Sequence, residues 1–225
     1  MIAKVCGMTR LTDALHAVQH GATAVGFVFW PRSPRYIEPR RAAEIISELP
    51  DTVTAVGVFV NQPIDEIQRV AATSGITAIQ LHGDEPPAYA KAFGWPVWRA
   101  VTLDLVDETL DGWPLTATIV LDAHDPVRRG GTGQTIDWAR AARVATERQV
   151  VLAGGLTPEN VSDAIEAVRP FGVDVSSGVE EAPGVKDLEK VARFLERARA
   201  ALLERHVENN AGGSARTART PRPKA

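Results

Sequence analysis

The stretch KVCGMTRLTDALHAVQHGATAVGFVF, residues 4–29, starts in a short β-rich run, passes through a helix-length segment closed by Gly21, and returns to a β-rich run. Two strands joined by a helix imply a parallel pair with a right-handed crossover. The same alternation continues outward along the chain. Strand-like runs stand at IAKVCG, TAVGFVF, TAVGVFV, AIQLHG, VWRAV, TIVLDA, QVVLAGG and VDVSSG. Between them lie segments such as EPRRAAEIISELP, PIDEIQRVAATSG and TPENVSDAIEAVRP. In EIQRVA the apolar Ile67, Val70 and Ala71 recur at helical spacing. Pro39, Pro63 and Pro158 stand where helices would start, and Gly21, Gly75 and Gly94 where they would stop. The segment LVDETLDG is the least regular helix candidate.

A doubly wound open sheet and a (β/α)8 barrel both fit strands alternating with helices. Eight units within roughly 200 residues favour the barrel. A nucleotide-binding open sheet would normally carry GxGxxG or GxxxxGK[ST] after its first strand, and neither is present. The fold expected is therefore a single-domain α/β (β/α)8 TIM barrel.

Bulk properties narrow the function. The 225 residues are 44% hydrophobic and 24% charged, with a formal net charge of −3, as in an ordinary globular protein. That balance argues against nucleic acid or an anionic membrane as the main partner, and leaves small anionic ligands open. No apolar run approaches the length of a membrane span or a signal peptide. One cysteine cannot form an intrachain disulfide and suits a reducing cytoplasm. The Asn160-Val161-Ser162 sequon is then chance. The barrel is expected over residues 1–206. Residues 207–225, which include AGGSARTARTPRPKA, have almost no apolar bulk and are expected to form a disordered tail.

In this architecture the chemistry sits at the C-terminal ends of the strands. Read in order, those ends give Cys6, the loop FWPRSPRYI with Arg35, His82, Asp122, Gly154-Gly155, and DVSSGVE. Gly154 and Gly155 with Ser177 and Gly178 suit a phosphate, since glycines let backbone N–H groups approach its oxygens. The segment RRGGTG, residues 128–133, could close over the same region. Alternation puts Lys4 and Cys6 on one strand face, and Val120 and Asp122 on another. Cys6 is either a small buried hydrophobe or a working thiol, and as a base it would need a lowered pKa. Asp122 is either an ion-paired or capping aspartate or a general acid, and as an acid it would need a raised one. Arg35 offers a planar fork for a carboxylate. Gln80 and His82 share a face at the barrel rim. The five scattered histidines and the lack of CxxC give no metal site.

The motifs KVCGMTR, AVGFVFWPRSPRYI, VGVFVN, IQLHGDE, VLDA with GGTGQTIDW, LAGGLTPENV and DVSSGVEEAPGVKD resemble those of phosphoribosylanthranilate isomerases, in the family's order, from about residue 2 to residue 204. The resemblance implies an Amadori rearrangement of N-(5-phosphoribosyl)anthranilate to 1-(2-carboxyphenylamino)-1-deoxyribulose 5-phosphate in tryptophan biosynthesis, with no cofactor and a small phosphoribosyl substrate. It makes Cys6 the general base, Asp122 the general acid, Arg35 the carboxylate anchor and the last two strand loops the phosphate site. His82, Asp174, Gly131 and Gly133 match positions near the substrate. Monomer and homodimer both stay open. Three other readings remain: a Schiff-base lyase or aldolase using Lys4, an isomerase of a phosphoribosyl aminoimidazole compound, and a barrel that only binds phosphosugars.

Overall fold

Each strand-like run forms a strand in the computed structural model, which describes residues 1–122 and 137–214. In chain order these are β1 (Ile2–Val5), β2 (Ala24–Val28), β3 (Thr54–Phe59), β4 (Ala78–Leu81), β5 (Val97–Thr102), β6 (Thr118–Asp122), β7 (Val150–Leu152) and β8 (Gly172–Val175). They lie parallel in sequence order, and β8 pairs with β1 to close the barrel. A hairpin that periodicity gave no sign of follows β8. Its strands β9 (Glu180–Ala182) and β10 (Val185–Lys186) pair antiparallel.

The helices are α1 (Leu11–Gln19), α2 (Pro39–Ile46), α3 (Ile64–Ser74), α4 (Val106–Thr109), α5 (Trp138–Glu147), α6 (Val161–Val168) and α7 (Leu188–Ser214). Pro39 takes the first helical position of α2, where a missing N–H costs nothing. Pro63 caps the start of α3, and Gly75 ends it in the left-handed conformation. Pro158 lies in the turn before α6, whose N-cap is Asn160. Gly94 terminates no α-helix, because only a 3-10 turn, Pro87–Lys91, follows β4. The irregular LVDETLDG yields a 3-10 turn and the single turn of α4, cut short ahead of Gly112 (φ 73°) and Pro114. Helix α7 passes the expected boundary at 206 and continues to Ser214. The reason is local: no glycine or proline interrupts the chain between Leu188 and Gly212.

Two apolar layers place the site. One packs the outer faces of the strands against the helices. The other fills the barrel, with Val56, Trp98, Val120 and Val151 among its members. Above that floor a smaller patch of Cys6, Val28 and Val58, covered by Trp30, meets the polar residues. Alternation along each strand thus leaves Lys4, Gln80, Asp122 and Asp174 buried near the C-terminal mouth.

Candidate active site

A cavity of about 1270 Å³ opens at that mouth and brings together Cys6, Arg35, His82, Asp122 and Asp174. Gly154, Gly155, Ser177 and Gly178 line the same cavity. Gly131 and Gly133, with the whole segment 128–133, lie outside the described residues.

Cys6 is fixed by its neighbours on both sides. Its N–H donates to the Val175 carbonyl at 2.8 Å, and the N–H groups of Gly7 and Met8 both donate to the Gly26 carbonyl, at 3.0 and 2.8 Å. Gly7 turns the chain with φ 79°, and a side chain there would strike Arg35 Cδ at 2.6 Å. Beside the thiol stands Lys4, whose ammonium donates to Asp174 Oδ2 at 2.5 Å. Burial pushes the Cys6 thiol up; Lys4 and Lys186 oppose this, and the Asp174 charge adds to it. The resting thiol is therefore displaced opposite to the lowering a base requires, because desolvation outweighs the nearby cations.

Lys4 behaves differently. Burial favours its neutral form, but Asp174 and Cys6 outweigh that and hold its pKa above the ordinary lysine value. An imine-forming lysine needs a free amine, so this environment counts against the lyase reading. Burial raises the Asp174 carboxyl, Lys4 opposes, and Asp122 adds repulsion. Asp174 Oδ1 is buried without a protein partner.

Asp122 faces His82, with Oδ2 3.4 Å from Nε2. The Gln80 amide nitrogen lies 3.3 Å from His82 Nδ1. His82 thus bridges Gln80 and Asp122.

Arg35 is engaged by a partner that sequence reasoning missed. Its Nε donates to Glu180 Oε1 at 2.9 Å and its Nη2 to Oε2 at 2.7 Å, a two-pronged pair. Glu180 Oε1 also accepts from Lys186 Nζ at 2.8 Å. Burial alone would raise the Glu180 carboxyl, but Arg35 and Lys186 hold it below the ordinary carboxylate range. Glu180 and Lys186 both fall in the quoted run DVSSGVEEAPGVKD, yet nothing local pairs either with a residue on the second strand's loop. Gly26 is the other omission; its missing side chain makes room for the Cys6 thiol.

The glycine loops touch each other directly. Gly154 and Gly155 both adopt positive φ, 77° and 65°. A Cβ on Gly178 would lie 1.9 Å from the Leu156 carbonyl oxygen, so the loops after β7 and β8 are packed backbone to backbone. Among the described residues no group of three or more His, Cys, Asp or Glu side chains could hold a metal ion. None of the described helices is long and apolar enough to cross a membrane.

The family model described as N-(5'phosphoribosyl)anthranilate (PRA) isomerase matches residues 3–197. An N-(5'-phosphoribosyl)anthranilate isomerase of Geobacter sp. (strain M21) is 48% identical over 198 residues, covering 87% of this chain and 97% of that protein. The crystal structure of phosphoribosyl anthranilate isomerase from Thermotoga maritima is 43% identical with a TM-score of 0.82, covering 89% of this chain and all of that one. A phosphoribosyl anthranilate isomerase solved with reduced 1-(o-carboxyphenylamino)-1-deoxyribulose 5-phosphate is 41% identical, with a TM-score of 0.79 over 89% of this chain and 100% of that one.

Proposed function

The chain belongs to the N-(5'-phosphoribosyl)anthranilate isomerase family and carries out that family's aldose–ketose rearrangement, in which we propose that Cys6 is the base and Asp122 the acid. The observation that carries this assignment is that both groups line one cavity between two anion-seeking ends.

The substrate has a carboxylate at one end and a phosphate at the other. Arg35 and Lys186 share the carboxylate of Glu180. The anthranilate carboxylate binds through Arg35 Nη1, since Nε and Nη2 are held by Glu180. Trp30, Val28 and Val58 give its aromatic ring an apolar wall. Backbone groups of Gly154, Gly155, Ser177 and Gly178 receive the phosphate. Holding both ends orients the reacting carbons between the two proton-transfer groups.

Asp122 gives its proton to the furanose ring oxygen. The ring opens and leaves a protonated Schiff base. Cys6 then takes the C2′ proton, and the resulting enolamine tautomerises to the ketone. The Schiff base brings a positive charge beside Cys6 when the proton must leave, and that charge favours the thiolate that burial disfavours at rest. The oxidation of C2′ is balanced by reduction of C1′ within the same molecule and no group leaves it, so the sequence of steps calls for no external cofactor. A working thiol suits a reducing compartment, in keeping with a cytoplasmic enzyme.

The test uses freshly prepared N-(5-phosphoribosyl)anthranilate and follows loss of its anthranilate fluorescence, corrected for spontaneous hydrolysis. Wild type should turn over. Cys6→Ser and Asp122→Asn should lose about 10²- to 10⁴-fold in kcat with little change in substrate affinity. Near-normal turnover in either variant would remove that residue from its role. Turnover of a phosphoribosyl aminoimidazole substrate in place of this one would redirect the assignment to that compound.

A further inference from the structure

Lys186 is buried at the barrel mouth. It sits on β10 and is 1% exposed. Its ammonium hydrogen-bonds to three acceptors on three elements: the Cys6 carbonyl at 2.6 Å at the end of β1, the Ser176 carbonyl at 3.3 Å after β8, and Glu180 Oε1 at 2.8 Å on β9. Glu180 in turn holds Arg35. A second bond reinforces the joint, because Ser176 Oγ donates to the Cys6 carbonyl at 3.2 Å. The backbone N–H of Lys186 is itself fixed, donating to the buried Asp13 carboxylate at 3.0 Å.

We propose that Lys186 is a positioning residue for the isomerase reaction, locking Cys6, the phosphate-side loop after β8 and the Arg35–Glu180 pair into one frame. The inference rests on the roles given above to Cys6, Arg35 and the β8 loop. Burying an ammonium is costly unless its N–H groups are satisfied. Here all three are satisfied, two by the nearby β8–β9 stretch and one by Cys6, 180 residues earlier, while burial still holds the Lys186 pKa below the ordinary lysine value. Those segments are the ones that read the two ends of the substrate and remove its proton. A substrate clamped at both ends against such a node meets the thiol at a set distance, and misplacement by about 1 Å can cost on the order of 100-fold in rate.

The charged groups facing Cys6 come from four elements: Lys4 on β1, Asp174 on β8, Arg35 on the loop after β2, and Lys186 on β10. Lys186 is thus one of the cations favouring the thiolate, which gives a readout that needs no turnover. Cys6 is the sole cysteine, so its alkylation by iodoacetamide can be followed against pH by mass spectrometry on the full chain.

The experiment compares wild type with Lys186→Met and Lys186→Gln for cooperative unfolding, alkylation profile, kcat and KM. Lys186→Met should fold, lose about 10- to 100-fold in kcat, raise KM, and move the alkylation inflection to higher pH. Lys186→Gln keeps amide donors but no charge. It should recover part of kcat while the inflection stays raised. Unchanged kcat in folded Lys186→Met would overturn the proposal, as would a fall in kcat with an unchanged alkylation profile. Loss of cooperative unfolding in both variants would make Lys186 a structural requirement of the barrel mouth and equally overturn it. A wild type that alkylates as described but does not turn over the substrate would instead sink the assigned reaction, leaving the Lys186–Cys6 link to be judged by alkylation alone.

Discussion

A β-carbon on Gly26 would lie 2.5 Å from the thiol sulfur of Cys6 and 3.1 Å from its Cα. The strand end that carries the proposed base therefore depends on an absent side chain on the neighbouring strand. Gly26→Ala should cost about 1–3 kcal/mol by overpacking and lower kcat by pushing the thiol off its line to C2′. Adding Cys6→Ala should return part of the stability, because the sulfur is then gone. Chemical denaturation of both variants decides this; a cost that is the same with and without the sulfur would mean the clash lies elsewhere.

Arg35→Ala should raise KM more than it lowers kcat, since the interaction it removes exists in both ground and transition states. Arg35→Lys should restore little, because an ammonium cannot reproduce the two-pronged pair with Glu180 while reaching the substrate. Steady-state kinetics on the two variants provide the check, and an unchanged KM would argue against the carboxylate role.

Gly178→Ala confronts backbone rather than a yielding side chain, with its Cβ 1.9 Å from the Leu156 carbonyl oxygen. The loops after β7 and β8 must part, so affinity for inorganic phosphate should fall and Tm should drop with it. Calorimetric titration measures the first. Wild-type affinity in the alanine variant would move the phosphate to another part of the mouth.

Cys6 should be slow to alkylate at neutral pH. Burial raises its thiol, and a thiol with a raised pKa stays protonated until pH climbs above the ordinary value of about 8.5. The alkylation rate should therefore rise only on the alkaline side. Removing Lys4 and Asp174 together, as Lys4→Met with Asp174→Asn, deletes a larger lowering influence and a smaller raising one. The inflection should then move further up. A shift downward would show that the Asp174 charge, not the ammonium, dominates the thiol's surroundings.

Truncation after His206 should leave kcat intact and shift Tm by less than about 2 °C. The family match ends at residue 197, and Leu202, at 3% exposed, is buried near the end of the described side chains. A larger loss in either quantity would make the end of α7 part of the folded core.

The eight strands were legible because each is a short apolar run bounded by helix punctuation, and the inward residues follow from alternation once the barrel is assumed. Lys4, Cys6 and Asp122 were reachable in that way, whereas Asp174 came only through the family resemblance. The pairing of Arg35 with Glu180, 145 residues later, was not. Neither was Lys186 against Cys6, 180 residues earlier. Contacts of that range leave no periodic trace. The hairpin β9–β10 that delivers both partners is too short to show alternation. The direction of the Cys6 shift was also out of reach, since it depends on how much water the folded mouth excludes.

Cys6, the proposed base, follows directly on the first strand, yet its surroundings are completed by the last. The Cys6 amide is held by Val175 and the Lys4 ammonium by Asp174, both on β8. Lys186 and Glu180 come later still. A nascent chain on the ribosome therefore carries its thiol from the sixth residue onward but has no formed site until almost the whole barrel has emerged. Under the proposed assignment, ring closure and the onset of catalysis coincide, and a prematurely terminated chain lacking β8 should be inactive whatever else it has folded.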